Sequence, residues 1–155
     1  MYEYRATVIK VIDGDTVDVD IDLGFGIVMK DERVRIMGID TPESRTRDKV
    51  EDLFGEAAKA RVKELLDGDV ILKTQINKNG EDMKGKLGRI LGDFMVERYE
   101  GKLEMLTDIL IEEGHAVAYF GGSKEEIQMK HMANREKLLR EGIVSREEYD
   151  KLTTA

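Results

Sequence analysis

Residues 16–23 read Thr-Val-Asp-Val-Asp-Ile-Asp-Leu, with four apolar side chains at alternate positions and three aspartates between them. A period of two belongs to a β-strand, whose successive side chains point to opposite faces; a helix would scatter these four around its axis. The stretch predicts a strand that buries Val17, Val19, Ile21 and Leu23 and leaves Asp18, Asp20 and Asp22 in solvent. Asp13-Gly14 favours a tight hairpin turn, so residues 4–12 become the antiparallel neighbour. Asp15 is in phase with the valines, and its carboxylate points from the strand end toward the interior side, where an unpaired charge is costly without a cation.

The remainder of the chain follows from similar local signals. Gly24-Phe25-Gly26 marks a turn, after which residues 27–30 and 33–39 form a further strand pair ending at Asp40. Residues 44–49 are a polar, basic loop. From Val50, the positions Leu53, Phe54, Ala57, Ala58, Val62, Leu65 and Leu66 recur with helical spacing, and Gly68 is a natural stop. Strands are expected at 69–76 and 89–96, separated by the loop 77–88, and a short helix at about 105–113. Ser123 with Glu126 is a capping-box pair for a long helix to about Glu141, and Ser145 with Glu148 repeats it for a short terminal one. The order of strands, helix, strands and helices predicts an α+β fold. Its expected form is a five-stranded barrel of the oligonucleotide-binding (OB-fold) type with about three helices. Residues 1–155 read as one domain, with the barrel and first helix at about 4–96 and a helical part at about 105–152.

Composition narrows the classes. With no cysteine there is neither a disulfide framework nor a thiolate metal site, and the two histidines lack zinc-type spacing. A net charge of -8 opposes binding to a polyanion, but the distribution matters more than the sum. The two segments with positive sums, 28–49 and 73–89, contain Arg35 and Arg89. Lys30, Arg33, Arg45, Arg47, Lys49, Lys78, Lys84 and Lys86 are candidates for a basic rim. The N-terminus, with Glu3 close to Met1, does not look like a signal peptide, and no stretch nears the ~20 apolar residues of a membrane span. A cytoplasmic or intracellular monomer without a membrane partner is the expectation, or a secreted one if a leader has been removed.

One constellation carries chemistry: Asp13-Gly14-Asp15-Thr16, Arg35, Asp40-Thr41-Pro42-Glu43 and Gly88-Arg89. Phosphodiester hydrolysis needs a positioned water, a base, and positive charge where the five-coordinate phosphorus gathers negative charge. Asp15 and Asp40 are hard oxygen ligands, and the Thr41 carbonyl is a third. Oxygen ligation without His or Cys points to Ca²⁺ or Mg²⁺ rather than zinc, and a loose carboxylate, carbonyl and water set favours Ca²⁺. Arg35 and Arg89 can make forked, charge-assisted bonds to phosphate oxygens. A further carboxylate, Glu43, is able to handle a proton.

With these parts in this order, the chain resembles the staphylococcal nuclease, or thermonuclease, family over roughly residues 5–141. The resemblance implies that Asp15, Asp40 and the Thr41 carbonyl bind Ca²⁺, with Asp13 in a supporting position behind them. It also implies that Arg35 and Arg89 hold the phosphate and that Glu43 is the general base. Lys86 and Tyr119 join the set as substrate contacts. The implied activity is cleavage of DNA and RNA, single-stranded or duplex, with little sequence preference, to 3′-phosphate and 5′-hydroxyl ends. Two positions depart from the family: Leu87 stands where a tyrosine often precedes the glycine-arginine pair, and Gly121 replaces a second tyrosine two residues after Tyr119.

Each part also has a plainer reading. Asp-Gly-Asp-Thr alone is a hairpin turn, Arg35 a cross-strand partner, and Tyr119 a core aromatic as readily as a nucleotide platform. The run Asp18-x-Asp20-x-Asp22 fails as an EF-hand because Leu23 sits where the loop needs glycine. His115, after a helix-ending glycine, reads as a cap or surface residue. His131 reads as a residue of the solvated or boundary face of its helix rather than of a catalytic centre, and Met129 and Met132 as packing. The rival function is a catalytically silent nuclease-like module that binds nucleic acid or protein. A single-strand-binding barrel would want more stacking aromatics than the 6% present.

Overall fold

The computed structural model describes residues 2–75, 88–119 and 121–154. Strands β1 (Glu3–Asp13), β2 (Thr16–Gly24), β3 (Ile27–Ile36) and β4 (Ile39–Asp40) are followed by helix α1 (Lys49–Leu65). Then come β5 (Asp69–Thr74), β6 (Ile90–Tyr99), β7 (Lys102–Met105), α2 (Leu106–Glu113), β8 (Val117–Ala118), α3 (Lys124–Arg140) and α4 (Arg146–Thr153). Six strands form one sheet in the order β3-β2-β1-β5-β6-β7. A further parallel pairing of β3 with β6 closes five of them into a ring, while β4 and β8 form a separate two-stranded sheet. This is the expected α+β, OB-like architecture, with four helices among the described residues. Among those residues no helix is long and apolar enough to cross a membrane.

The interior of the ring is filled by the alternating residues of β2 and their neighbours. Val17, Val19 and Val34 are fully buried, together with Leu72, Phe94 and, from α1 and α2, Val62, Ile109 and Leu110. Each fully buried side chain of this size contributes about 1.5–3 kcal/mol of hydrophobic stabilisation. A second cluster, Phe54, Leu138, Leu139 and Val144 with Tyr149 edge-on to the Phe54 ring, joins α1 to the C-terminal helices.

Several expectations are corrected. The alternation of β2 breaks at both ends of its prediction: Leu23 is exposed, and Asp18 is buried. Asp18 faces Arg33 across the β2–β3 ladder and accepts two bonds from its guanidinium at 2.8 and 3.2 Å. Arg33, and Lys30 against Asp20, therefore balance local carboxylates instead of forming a free rim. The turn between β1 and β2 is Gly14-Asp15, because Asp13 already pairs with Thr16. Residues 27–36 make one continuous strand whose register shift falls beside Asp31, held at φ 52°. The strands β7 and β8 went unforeseen.

Candidate active site

Register brings the charged residues together. Thr16 pairs with Arg35 across the β2–β3 ladder, which sets Asp15 beside that arginine. Val34 pairs with Ile90 in the parallel β3–β6 contact, so Arg89 enters from the start of β6 at the same end of the ring. After β3 the chain turns at Met37-Gly38 and passes through the two-residue strand β4, which delivers Asp40 and the buried Thr41. The result is a cavity of about 410 Å³ that Asp13, Asp15, Arg35, Asp40, Thr41, Glu43 and Arg89 all line. Seven of the nine residues singled out in the sequence thus share one cleft.

The Arg35 guanidinium is held before any substrate arrives. It donates to the carbonyls of Ile36 and, at 3.3 Å, Ile39, and lies 3.4 Å from Asp15 Oδ2. Asp15 Oδ1 also accepts from the Thr16 hydroxyl at 3.0 Å.

Residues 43–48 are fastened by carboxylates on either side. Glu51 accepts from the Glu43 amide at 3.2 Å, Asp52 from the Arg45 amide, and Asp13 from the Ser44 hydroxyl. Asp48 caps α1 through the amides of Val50 and Glu51. Acidic residues are favoured in the first turn of a helix, where free amides and the dipole attract them, and here the same turn also grips the loop. Close approach needs a gap in the side chains of α1. Gly55 supplies it: an added Cβ would come within 2.5 Å of the Glu43 carbonyl carbon and 2.7 Å of the Ser44 nitrogen. Gly14 similarly lies against Ala58 and Thr41.

The donor set suits a hard divalent cation. The side chains of Asp15, Asp40 and Thr41 present only oxygen, and the cleft also carries the carboxylates of Asp13, Glu43 and Glu51, an acidic excess over Arg35, Arg89 and Arg135. Among the described residues no group of three or more His, Cys, Asp or Glu side chains is placed to hold a metal ion by itself. A cation on Asp15, Asp40 and the Thr41 carbonyl would take its other ligands from water and phosphate, which is a fit for Ca²⁺ or Mg²⁺.

Tyr119 lies elsewhere. It is half exposed, so it is not a core aromatic, and it lines a neighbouring groove of about 670 Å³ with Met37, Asp93 and Gly121. Arg35 lines both spaces, so groove and cleft adjoin. Burial raises the pKa of the Asp93 carboxyl at the groove's side, against the opposing hydrogen bonds from Thr107. Lys86 and Leu87, with Lys78 and Lys84, lie outside the described residues.

The sequence reading missed the contribution of α3. Gln128, His131 and Arg135 line the cleft, and His131 Nε2 is 2.7 Å from Asp40 Oδ2, with its ring only 11% exposed. Their spacing of three and four residues places them on one helical face, a signal present in the sequence; which face meets the site was not. Met129 and Met132, expected to pack, are exposed. His115, expected as a cap or surface residue, is buried, and that burial lowers its pKa below 6.5.

A family model described as Staphylococcal nuclease homologue matches residues 33–145. Among characterised proteins, a micrococcal nuclease of Shigella flexneri is 28% identical over 148 residues, covering 92% of this chain and 75% of that one. The family match takes in the end of β3 with Arg35, the loop at 43–48, the start of β6 and all of α3, the segments that supply most of the cleft. Extending over well more than half of the chain, it shows that the protein belongs to the staphylococcal nuclease homologue family.

Proposed function

We propose that the protein is a Ca²⁺-dependent phosphodiesterase that hydrolyses DNA and RNA, with little regard for sugar or sequence, to 3′-phosphate and 5′-hydroxyl ends. The observation that carries this reading is the single cleft shared by two carboxylates and a buried backbone threonine, two guanidinium groups, and Glu43. Asp15, Asp40 and the Thr41 carbonyl would hold the cation. When bound, Ca²⁺ would supply positive charge to a phosphate oxygen.

The rest of the chemistry belongs to side chains. Arg35, already oriented by the Ile36 and Ile39 carbonyls, and Arg89 bind the non-bridging oxygens and stabilise the charge that gathers there. Glu43, whose backbone is fixed by Glu51, accepts a proton from the attacking water. A new P–O bond forms, the P–O5′ bond breaks, and the 5′ oxygen leaves as a hydroxyl with a proton from solvent. Tyr119 offers a ring face in the adjoining groove for a neighbouring base, and Lys86 a charge for the backbone. Membership of the nuclease family and the relative's description support the same substrate class.

The test is digestion of single-stranded DNA, duplex DNA and RNA in Ca²⁺, Mg²⁺ or chelator, with Glu43→Gln alongside. Removing a general base costs about 10²–10⁴-fold in turnover, and the variant is expected to fall in that range while keeping its fold. A fully active Glu43→Gln would refute the base assignment. Wild-type protein that binds nucleic acid without cutting it under any condition would identify a silent module.

A further inference from the structure

Three carboxylates around the cleft, Asp13, Asp15 and Glu51, each have a fixed donor. Asp13 accepts from Ser44, and Asp15 from Thr16 with Arg35 nearby. Asp40 has no such neighbour on its own sheet: it ends a two-residue strand whose ladder consists of Ile39 with Ala118 and Asp40 with Val117, and its side chain is 45% exposed. Among the described residues, the side chain that hydrogen-bonds it is His131, 91 positions later, at 2.7 Å.

We propose that His131 is a positioning residue for Asp40, and that α3 thereby takes part in cation binding. A carboxylate that holds a cation has only acceptor oxygens, so the imidazole Nε2–H donates to Oδ2 and leaves Oδ1 as the oxygen for the metal. Without that bond a half-exposed aspartate samples several rotamers, and ordering it would be charged to each binding event. A partner that orients a ligating carboxylate removes that cost, and losing such a partner typically weakens metal affinity about 10–100-fold.

The helix that carries the ring is well anchored. The Asn134 amide, one turn on, donates to the Ala116 carbonyl at 3.2 Å, next to β8, and Leu138 and Leu139 are buried against Phe54. The C-terminal helical cluster therefore fixes where His131 stands. The inference rests on the reading of Asp40 as a cation ligand, and it adds that α3 is needed for the affinity of that site.

The test is calorimetric titration of the intact protein with Ca²⁺ and separately with Mn²⁺, without nucleic acid and at one mildly alkaline pH. Wild type, Asp40→Ala, His131→Leu and His131→Gln are compared, with urea midpoints recorded for each. His131→Leu is expected to weaken Ca²⁺ binding about 10–100-fold, and His131→Gln, which keeps an N–H at similar reach, to stay within about threefold of wild type. Asp40→Ala is expected to bind Ca²⁺ least. If Asp40→Ala binds like wild type, or wild type binds neither ion, the metal assignment fails and this inference with it. If Asp40→Ala loses binding while His131→Leu does not, the inference alone is overturned. Equal losses in His131→Leu and His131→Gln would reduce the ring to packing. A loss much greater for Mn²⁺ than for Ca²⁺ would make the imidazole a ligand, and either result overturns the positioning role.

Discussion

Gly55 gives the sharpest test of how the helix α1 sets the loop that carries the proposed base. Helix propensity alone says that Gly55→Ala should stabilise the protein by about 1 kcal/mol, since alanine is the better helix former. The structure says otherwise, because the new Cβ would meet the Glu43 carbonyl carbon at 2.5 Å where ordinary contact begins near 3.4 Å. Backbone must yield by about 1 Å, and overpacking of this kind costs about 1–3 kcal/mol, enough to cancel or reverse the propensity gain. The displaced segment carries the proposed base. A shift of about 1 Å in a reacting group costs on the order of 100-fold in rate, or about 2.7 kcal/mol of transition-state stabilisation. The assay is kcat on single-stranded DNA with saturating Ca²⁺, paired with urea denaturation. The expected result is a fall of about two orders of magnitude in kcat with a change in stability of about 2 kcal/mol or less. A variant more stable than wild type, with kcat within about threefold, would refute the claim that α1 positions Glu43.

Phe54→Ala should cost about 3–5 kcal/mol, because the ring is 1% exposed between α1 and the C-terminal helices and carries Tyr149 edge-on and Arg135 over its face. A loss below about 1 kcal/mol by urea unfolding would mean that the cluster collapses around the gap. His115 links stability to pH. Burial holds its folded pKa below the ordinary 6.5, so as pH falls below that value the unfolded chain takes up the proton first. This contribution is therefore complete above 6.5, declines as pH falls toward the folded pKa, and is flat below it. The difference between wild-type and His115→Gln stability curves should fall through that window; parallel curves would exclude His115 as the source.

The parts legible in the chain were those governed by near neighbours. The alternation of Val17, Val19 and Ile21 specified a strand, the spacing from Leu53 to Leu65 a helix, and Ser123 with Glu126 a cap, as observed in β2, α1 and α3. Residue types at Asp15, Arg35, Asp40, Glu43 and Arg89 pointed to one chemistry, and the family's order of motifs linked them. Their meeting in one cleft depends on pairings the sequence does not display, such as β3 against β6.

The failures share that cause. Asp18 is buried because Arg33 stands opposite it on the next strand, which overrides the polar half of the alternation. Leu23 is exposed together with its neighbours Asp22 and Gly24, because the buried part of β2 ends at Ile21, before the turn into β3. His115 and His131 are both more buried than their sequence context suggests, because burial on a helix or after one is set by what docks against it. Local periodicity and capping act over two to four residues and are written in the chain itself, so sequence determined the longer strands, the helices and the residue types of the cleft, but not the short strands β7 and β8. The bond between His131 and Asp40 spans 91 residues and exists only once α3 has packed on α1 through Phe54, Leu138 and Leu139, so tertiary structure alone decided it.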